Sequence, residues 1–312
     1  MARHIELRVT ARRPDGPDIV GVTLMDPDGW PLPPVAAGAH LDLQVPAVGA
    51  RAYSLCGDPA DQCRWTIAVK REPASRGGSH FVHRLRLGDT VWAGMPRSTF
   101  PLAEGARRHL MLAGGIGITP FLSMAPVLAR AGAAWTLHLL YRSAPPCAGA
   151  LAPWIAAGHV VLHDTASGGR PELASLVGPH RPGTHAYCCG PAAMIEAFAE
   201  ATAGWPAGTA RSEHFVPPLR APDPEARAYT LVLAGGGAAA EVPAGGSMVA
   251  ALRSLGATVS TTCEGGICGA CRVRWLEGEP LHRDLVLSPE ERRTHLMACV
   301  AGCRSARLVI DA

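Results

Sequence analysis

The sequence predicts a multidomain chain: an antiparallel β-barrel first, an α/β domain built on a parallel sheet next, and a small cysteine-bearing domain last. Three observations predict it. Up to about Leu102 the apolar residues fall in short β-rich runs broken by Gly, Pro and Asp; from Arg108 onward strand-like runs alternate with Ala-rich helical ones; and a tight group of cysteines follows a proline-rich stretch. Short, closely spaced strands point to a barrel or sandwich, whereas alternating β and α runs place helices on the faces of a parallel sheet. At 312 residues the chain exceeds one typical core, which suits two or three domains.

In the first region the expected strands are Ile5–Thr10, Ile19–Leu24, His40–Val45, Trp65–Val69 and Thr90–Ala93. The stretch Arg51-Ala52-Tyr53-Ser54-Leu55 puts Arg51, Tyr53 and Leu55 on one face of a strand. A guanidinium with an aromatic ring two residues on suits a planar ligand that carries phosphate, although such alternation is also common on ordinary strands. Gly77-Gly78-Ser79, ahead of the helical or loop segment His80–Leu87, offers backbone N–H groups as an anion nest.

The second region alternates through His109–Ala113, Pro120–Ala131, Trp135–Tyr141, Ala148–Ala157, His159–His163, Glu172–Val177, His185–Cys188 and Pro191–Ala201. Gly114-Gly115-Ile116-Gly117-Ile118-Thr119-Pro120 joins the first strand to the first helix, where glycines let a pyrophosphate approach the backbone. It is not a strict G-x-G-x-x-G, and an ordinary glycine-rich turn is the competing reading. Pro120 fits a first helical turn, where its missing N–H removes no hydrogen bond. Cys188-Cys189-Gly190-Pro191 ends another parallel strand on the same edge, so the two turns are expected to face one nucleotide. Cys189 is expected half-exposed there; the alternative is a small buried residue that packs.

Pro217-Pro218-Leu219-Arg220-Ala221-Pro222-Asp223-Pro224 supports neither helix nor ladder and reads as a linker. Beyond it Tyr229–Leu233 and Ala240–Val242 suggest a hairpin, Met248–Leu255 a short helix, and Ala306–Ile310 a final strand. Between these lies Cys263-Glu264-Gly265-Gly266-Ile267-Cys268-Gly269-Ala270-Cys271, followed by Cys299. The C-x4-C-x2-C…C spacing is that of a plant-type [2Fe–2S] cluster held by four thiolates. Structural zinc competes, but it favours paired C-x2-C knuckles and only Cys268 and Cys271 form one. Cys303 is the one competitor for the fourth ligand position. The other thiols, Cys56, Cys63, Cys147, Cys188, Cys189 and Cys303, read as ordinary cysteines of a reducing cytoplasm, and the N-terminus has no apolar signal core.

A net charge of +3 without a Lys/Arg block argues against nucleic acid. Leu110–Ala129 is uncharged over about 20 residues, the length of a membrane span, yet Gly114, Gly115, Gly117, Pro120 and Pro126 break it into strand, turn and helix start. A soluble chain is expected.

Taken in order, R-x-Y-S, the G-G-S loop, G-G-I-G-I-T-P, C-C-G-P and C-x4-C-x2-C…C make the chain resemble, end to end, the phthalate dioxygenase reductase family, which includes vanillate O-demethylase reductases. The resemblance implies an FMN-binding barrel over 1–102, an NAD-binding α/β domain over 103–216, a linker over 217–227 and a β-grasp, plant-type ferredoxin domain over 228–312. It places FMN on Arg51, Tyr53, Ser54, Ala68, Val69, Lys70, Gly77, Gly78 and Ser79, with Thr119 reaching across and Phe215 against the ring. NAD falls to Gly115, Gly117, Pro120, Arg142, Cys189, Gly190 and Pro191, and the cluster to Cys263, Cys268, Cys271 and Cys299, with Cys303 outside. His282-Arg283-Asp284 matches a recurrent family segment. Two departures stand out: Tyr141-Arg142-Ser143 has no carboxylate for the adenosine ribose and suits a 2′-phosphate, and the Cys271–Cys299 gap is short. The implied activity is a cytoplasmic, monomeric reductase component passing electrons from NADH through FMN and the cluster to a terminal Rieske-type oxygenase or demethylase. No side chain need act as acid or base, and Ser54 is expected to hydrogen-bond near flavin N5. A reductase for a cytochrome P450 or another carrier is the alternative within enzymes. A non-enzymatic iron–sulfur redox sensor is the alternative outside them.

Overall fold

Alternate residues of the first strands are apolar, and the computed structural model, described over residues 4–217 and 226–312, turns that alternation into a barrel. Its strands are β1 (His4–Gly16), β2 (Ile19–Met25), β3 (Ala39–Val45), β4 (Gly49–Ser54), β5 (Trp65–Lys70), β6 (Thr90–Gly94) and the short β7 (Arg97–Ser98). All pairings are antiparallel, in the order β4-β3-β6-β1-β2-β5, with β7 beside β3. The barrel closes where Leu55, just past β4, bridges Ile67 of β5 and Cys56 N–H donates to Thr66 O at 2.8 Å. Closure leaves no long free edge. Leu7, Val22, Leu24, Leu41, Leu43 and Ile67 fill the interior. The helix α1 (Gly78–Arg84) adds Val82 to this core, and its His83 Nε2 lies 2.9 Å from Val69 O.

The second sheet comprises β8 (Arg108–Gly114), β9 (Ala134–Tyr141), β10 (Val160–Asp164), β11 (Thr184–Cys189) and β12 (Ala210–Glu213). It is parallel throughout, in the order β10-β9-β8-β11-β12. The helices are α2 (Thr119–Arg130), α3 (Ala148–Ala156), α4 (Leu173–Val177) and α5 (Ala192–Ala201). Met111, Leu137, Leu139 and Tyr187 point to the α2–α3 side, and Leu112, Leu140, Ala186 and Cys188 to the α4–α5 side. A parallel sheet covered on both faces needs such near-continuous apolar strands. The barrel and this sheet belong to one compact unit, Met1–Phe215. Tyr187 ties them: its ring meets Phe100 edge-on and its hydroxyl accepts Ala103 N–H at 2.9 Å. The uncharged 110–129 stretch is β8, the following turn and most of α2, and no helix among the described residues is long and apolar enough to cross a membrane.

The second unit, Val216–Ala312, carries a mixed sheet in the order β14-β13-β19-β15-β17. Its strands are β13 (Tyr229–Leu233), β14 (Ala239–Val242), β15 (Arg272–Glu277), β17 (His295–Met297) and β19 (Arg307–Asp311). β13 runs parallel to β19; the other pairings are antiparallel. β16 (Pro280–Leu281) and β18 (Gly302–Cys303) form a separate two-stranded ribbon. The helix α6 (Met248–Ser254) starts at Ser247, whose hydroxyl caps Ala250 N–H at 3.2 Å, and it lays Met248, Val249 and Leu252 on the sheet. A mixed sheet holding one helix is the expected β-grasp arrangement. Most of the expected linker, residues 218–225, lies outside the described residues.

Candidate cofactor sites

The turn after β8 and the turn after β11 form one structure. Residues Gly115–Ile118 make a single 3-10 turn, with Pro120 in the first turn of α2. A Cβ on Gly117 would collide with the Cys189 carbonyl oxygen and stand 2.9 Å from Gly190 N. Gly117 therefore serves backbone-to-backbone packing. Gly115, at φ +54° with nothing within 4 Å of a Cβ, is the position open to a ligand. Cys189 departs from expectation: it is 0 % exposed, because its side chain faces the α2–α3 core. Burial pushes its thiol well above the ordinary range, and Cys188, packed on the opposite face, is pushed up to about 12. Gly190 is half-buried, and Pro191 is the exposed residue of that turn. Arg142 and Ser143 are exposed at the end of β9, and Ser143 Oγ donates to Arg142 O at 2.6 Å. The neighbouring strand ends in Asp164, across from Tyr141, but its carboxylate already accepts Ala166 N–H and the Ser167 hydroxyl, each at 2.9 Å.

On the barrel, Arg51 and Tyr53 lie half-buried on one face of β4 and α1 begins against them. A Cβ on Gly78 would stand 2.6 Å from Tyr53 Oη and 2.9 Å from Arg51 Cγ, so only glycine allows the approach. Burial raises the Tyr53 phenol to about 12 against the opposing pull of Arg51, which keeps it neutral. Ser79 is buried, with its Oγ accepting Glu72 N–H at 3.1 Å. Ala68 and Val69 are buried in β5, and exposed Lys70 sits 3.6 Å from Glu72. β5 packs against the Gly115–Ile118 turn, which joins the barrel face to the nucleotide turn. Thr119 is buried and spends its hydroxyl on Ile116 O at 3.1 Å, holding that turn. Phe215 is 42 % exposed.

One residue went unremarked in the sequence reading. Glu213 ends β12, directly beside Cys189 of β11, and is 8 % exposed. Burial raises its carboxyl to about 8; a hydrogen bond with Ser54 opposes the rise. Its Oε2 has no partner among the described residues. A carboxylate at the carboxyl end of a parallel strand was the available signal.

In the second unit the four cysteines converge because of strand register. β15 begins immediately after Cys271, and its Arg272 pairs with Met297 of β17, two residues before Cys299. Cys299 N–H accordingly points at Cys271 Sγ, 3.4 Å away, and Ala298 N–H donates to Cys271 O at 3.0 Å. Cys263 Sγ accepts N–H groups from Gly265 at 3.4 Å and Ile267 at 3.5 Å. The Cys263 thiol reaches those of Cys268 and Cys299, and Cys271 reaches Cys299. These thiol contacts, ahead of the backbone donors, pull Cys263 far below its ordinary range while Cys268 and Cys299 are pushed up. Among the described residues no group of three or more His, Cys, Asp or Glu side chains is arranged around a single ion. Cys303 stands apart on β18, buried, with its Sγ donating to Ser305 O at 3.2 Å.

The comparisons with known proteins agree with this layout. Residues 231–304 match the family model of the 2Fe-2S iron-sulfur cluster binding domain. The phthalate dioxygenase reductase of Burkholderia cepacia is 37 % identical over 98 % of this chain and 97 % of its own. The chain belongs to the phthalate dioxygenase reductase family. The vanillate O-demethylase oxidoreductase of Pseudomonas sp. is also 37 % identical, over 98 % of this chain and 99 % of its own. The solved phthalate dioxygenase reductase, described as a modular structure for electron transfer from pyridine nucleotides to [2Fe-2S], superposes with a TM-score of 0.70 at 36 % identity, covering 99 % of this chain and 98 % of that one. An intact type IV self-sufficient cytochrome P450 monooxygenase gives a TM-score of 0.93 at 37 % identity; it covers 99 % of this chain, which spans 41 % of that longer one. As a member of this family the protein is an oxidoreductase of the reductase-component type. Its residues fit the cofactors: four grouped thiols for the cluster, the Arg51–Tyr53–Gly78 cradle for a flavin phosphate, and the open Gly115 turn for a nucleotide.

Two outcomes check these assignments. The Glu213 carboxyl, at about 8 when folded against an ordinary 4.5, stabilises the fold most below pH 4.5, and that contribution is lost as pH rises toward 8. The melting-temperature advantage of Glu213→Gln over wild type should therefore grow from about pH 5 to about pH 8 and level off above; a difference independent of pH would refute the buried-carboxyl assignment. Cys299→Ser should lose the visible and EPR signals of the cluster while NADH still bleaches the flavin. Cys303→Ser should keep both, and the reverse pattern would overturn the ligand set.

Proposed function

We propose that the protein is the NADH-dependent reductase component of an oxygenase system, a cytoplasmic monomer that passes electrons through FMN and a [2Fe–2S] cluster to a terminal oxygenase with Rieske-type and non-haem iron centres. The observation that carries this reading is the packing of β5 against the Gly115–Ile118 turn, in a barrel whose Arg51–Tyr53 face meets Gly78, on a chain that also groups Cys263, Cys268, Cys271 and Cys299. A flavin, when bound, trades electrons singly or in pairs and so links a two-electron hydride donor to a one-electron cluster. The protein's part is to bind and orient.

The Arg51 guanidinium and the backbone opening α1 would hold the phosphate, with neutral Tyr53 beside the ring system. Ser54, anchored to Glu213, would present its hydroxyl to the ring edge. Gly115 leaves the backbone bare for the nicotinamide nucleotide's pyrophosphate, and Gly190 and Pro191 continue that surface. Cys189 acts from behind, by packing the two turns together. Arg142 and Ser143 lie where the adenosine ribose would sit, and on their own they suit a 2′-phosphate. Phe215 offers an exposed ring to shield the flavin.

The likeness to a self-sufficient P450 supports a second reading, in which the acceptor is a cytochrome P450. NADH-driven reduction of a purified Rieske oxygenase against a purified P450 separates the two.

The bound flavin is tested by denaturing the purified protein. FMN should be released at about one per chain, and release of FAD would contradict the Gly77-Gly78-Ser79 reading. For the nucleotide, kcat/KM should favour NADH over NADPH; a ratio favouring NADPH would show that Arg142 and Ser143 decide the choice.

A further inference from the structure

Behind the cluster loop, the second unit buries a carboxylate to which the electron path assigns no role. The Asp284 side chain is 1 % exposed. Its Oδ2 accepts N–H groups from Leu287 at 2.8 Å and Val286 at 3.3 Å, and it lies 3.4 Å from Arg292 Nη2. The same Arg292 nitrogen donates to the Asp284 carbonyl at 2.7 Å. A buried carboxylate is costly unless paired and hydrogen-bonded, and here the pairing is incomplete. Asp284 Oδ1, Arg292 Nε and His282 Nδ1 make no hydrogen bond among the described residues, and His282 Nδ1 lies 3.9 Å from Oδ1.

The turn that this carboxylate folds is pressed on the cluster loop. Leu285 N–H donates to Gly266 O at 3.0 Å, between ligands Cys263 and Cys268. A Cβ on Gly266 would stand 3.1 Å from Asp284 Cα and 2.7 Å from a methyl of Val300, the residue after Cys299. Gly266, at φ +73°, is therefore wedged between the Asp284 turn and the segment that carries the fourth thiol. Asp284 sits behind both ligand-bearing segments.

We propose that Asp284 is a positioning residue for the cluster: its carboxylate locks the 284–287 turn on Gly266, and its buried negative charge, partly offset by Arg292, lowers the cluster's reduction potential. Reduction adds negative charge to the cluster, and a fixed anion nearby in a poorly screened interior opposes that addition. Arg292 acts with the opposite sign. This rests on the iron–sulfur reading of Cys263, Cys268, Cys271 and Cys299.

The test is a redox titration of the full-length holoprotein, followed by the EPR signal of the reduced cluster, with iron and acid-labile sulfide assayed alongside. Asp284→Asn should shift the cluster potential to more positive values and Arg292→Gln to more negative ones, while NADH reduces the flavin in both as in wild type. A purely structural role would lower cluster content without shifts of opposite sign. Unmoved potentials, or a shift of the same sign in both variants, overturn the proposal. If Asp284→Asn fails to assemble a cluster, Arg292→Gln decides alone, and an unchanged or raised potential overturns it. A wild-type protein without an iron–sulfur EPR signal would refute the cluster reading itself, which the shifts presuppose.

Discussion

The first unit depends on the contact of Gly117 with the backbone of Cys189 and Gly190. β8 and β11 are neighbours in a parallel sheet, so their carboxyl ends deliver two turns to the same edge. Any side chain at Gly117 would hold those turns apart. With them together, Gly115 is left bare, Cys189 is sealed beneath, and Glu213 is brought by β12 to the same level. The barrel joins through β5, and Ser54 meets Glu213. A surface on which two flat cofactors must meet needs backbone at the interface and side chains behind it, and one missing Cβ provides that.

The second unit solves a related problem by register. Three of its thiols come from one loop, but the fourth follows the antiparallel pairing of β15 with β17, which brings Ala298 opposite Cys271 and sets Cys299 N–H against Cys271 Sγ. The backbone donors on Cys263 then favour charged sulfur before any metal arrives. Cys303, four residues on, spends its thiol on Ser305 and lies on a different ribbon, so pairing rather than spacing puts Cys299, and not Cys303, beside Cys271.

Much of this was legible in the chain. Strand runs such as Ile19–Leu24 and Thr90–Ala93 fall within β2 and β6 because period-two alternation reports a one-sided barrel directly. The glycine turns and the cysteine spacing are local, and they appear where the sequence puts them. Cys189 was misplaced for a physical reason: a parallel sheet is buried on both faces, so alternation there says which face a residue takes and nothing about exposure. Glu213 was passed over because its environment is made by Ser54, a residue of a different sheet. Asp284 was legible only as part of a His-Arg-Asp segment; its contact with the cluster loop arises from how the 284–287 turn lies on Gly266.

On the proposed cofactor assignments, the two buried carboxyls set different electrostatics at the two redox sites. Glu213 has the Ser54 hydroxyl beside it, and burial keeps it largely protonated near neutral pH, so it would bring little charge to the proposed flavin edge. A neutral carboxyl there can orient Ser54 without opposing the approach of an anionic nucleotide. Asp284 has Arg292 and two backbone N–H groups on its Oδ2. A fixed charge set behind the cluster loop acts on a centre that gains one electron at a time. Charge is thus withheld where two large anionic ligands must come together and retained where the energy of a single added electron has to be set.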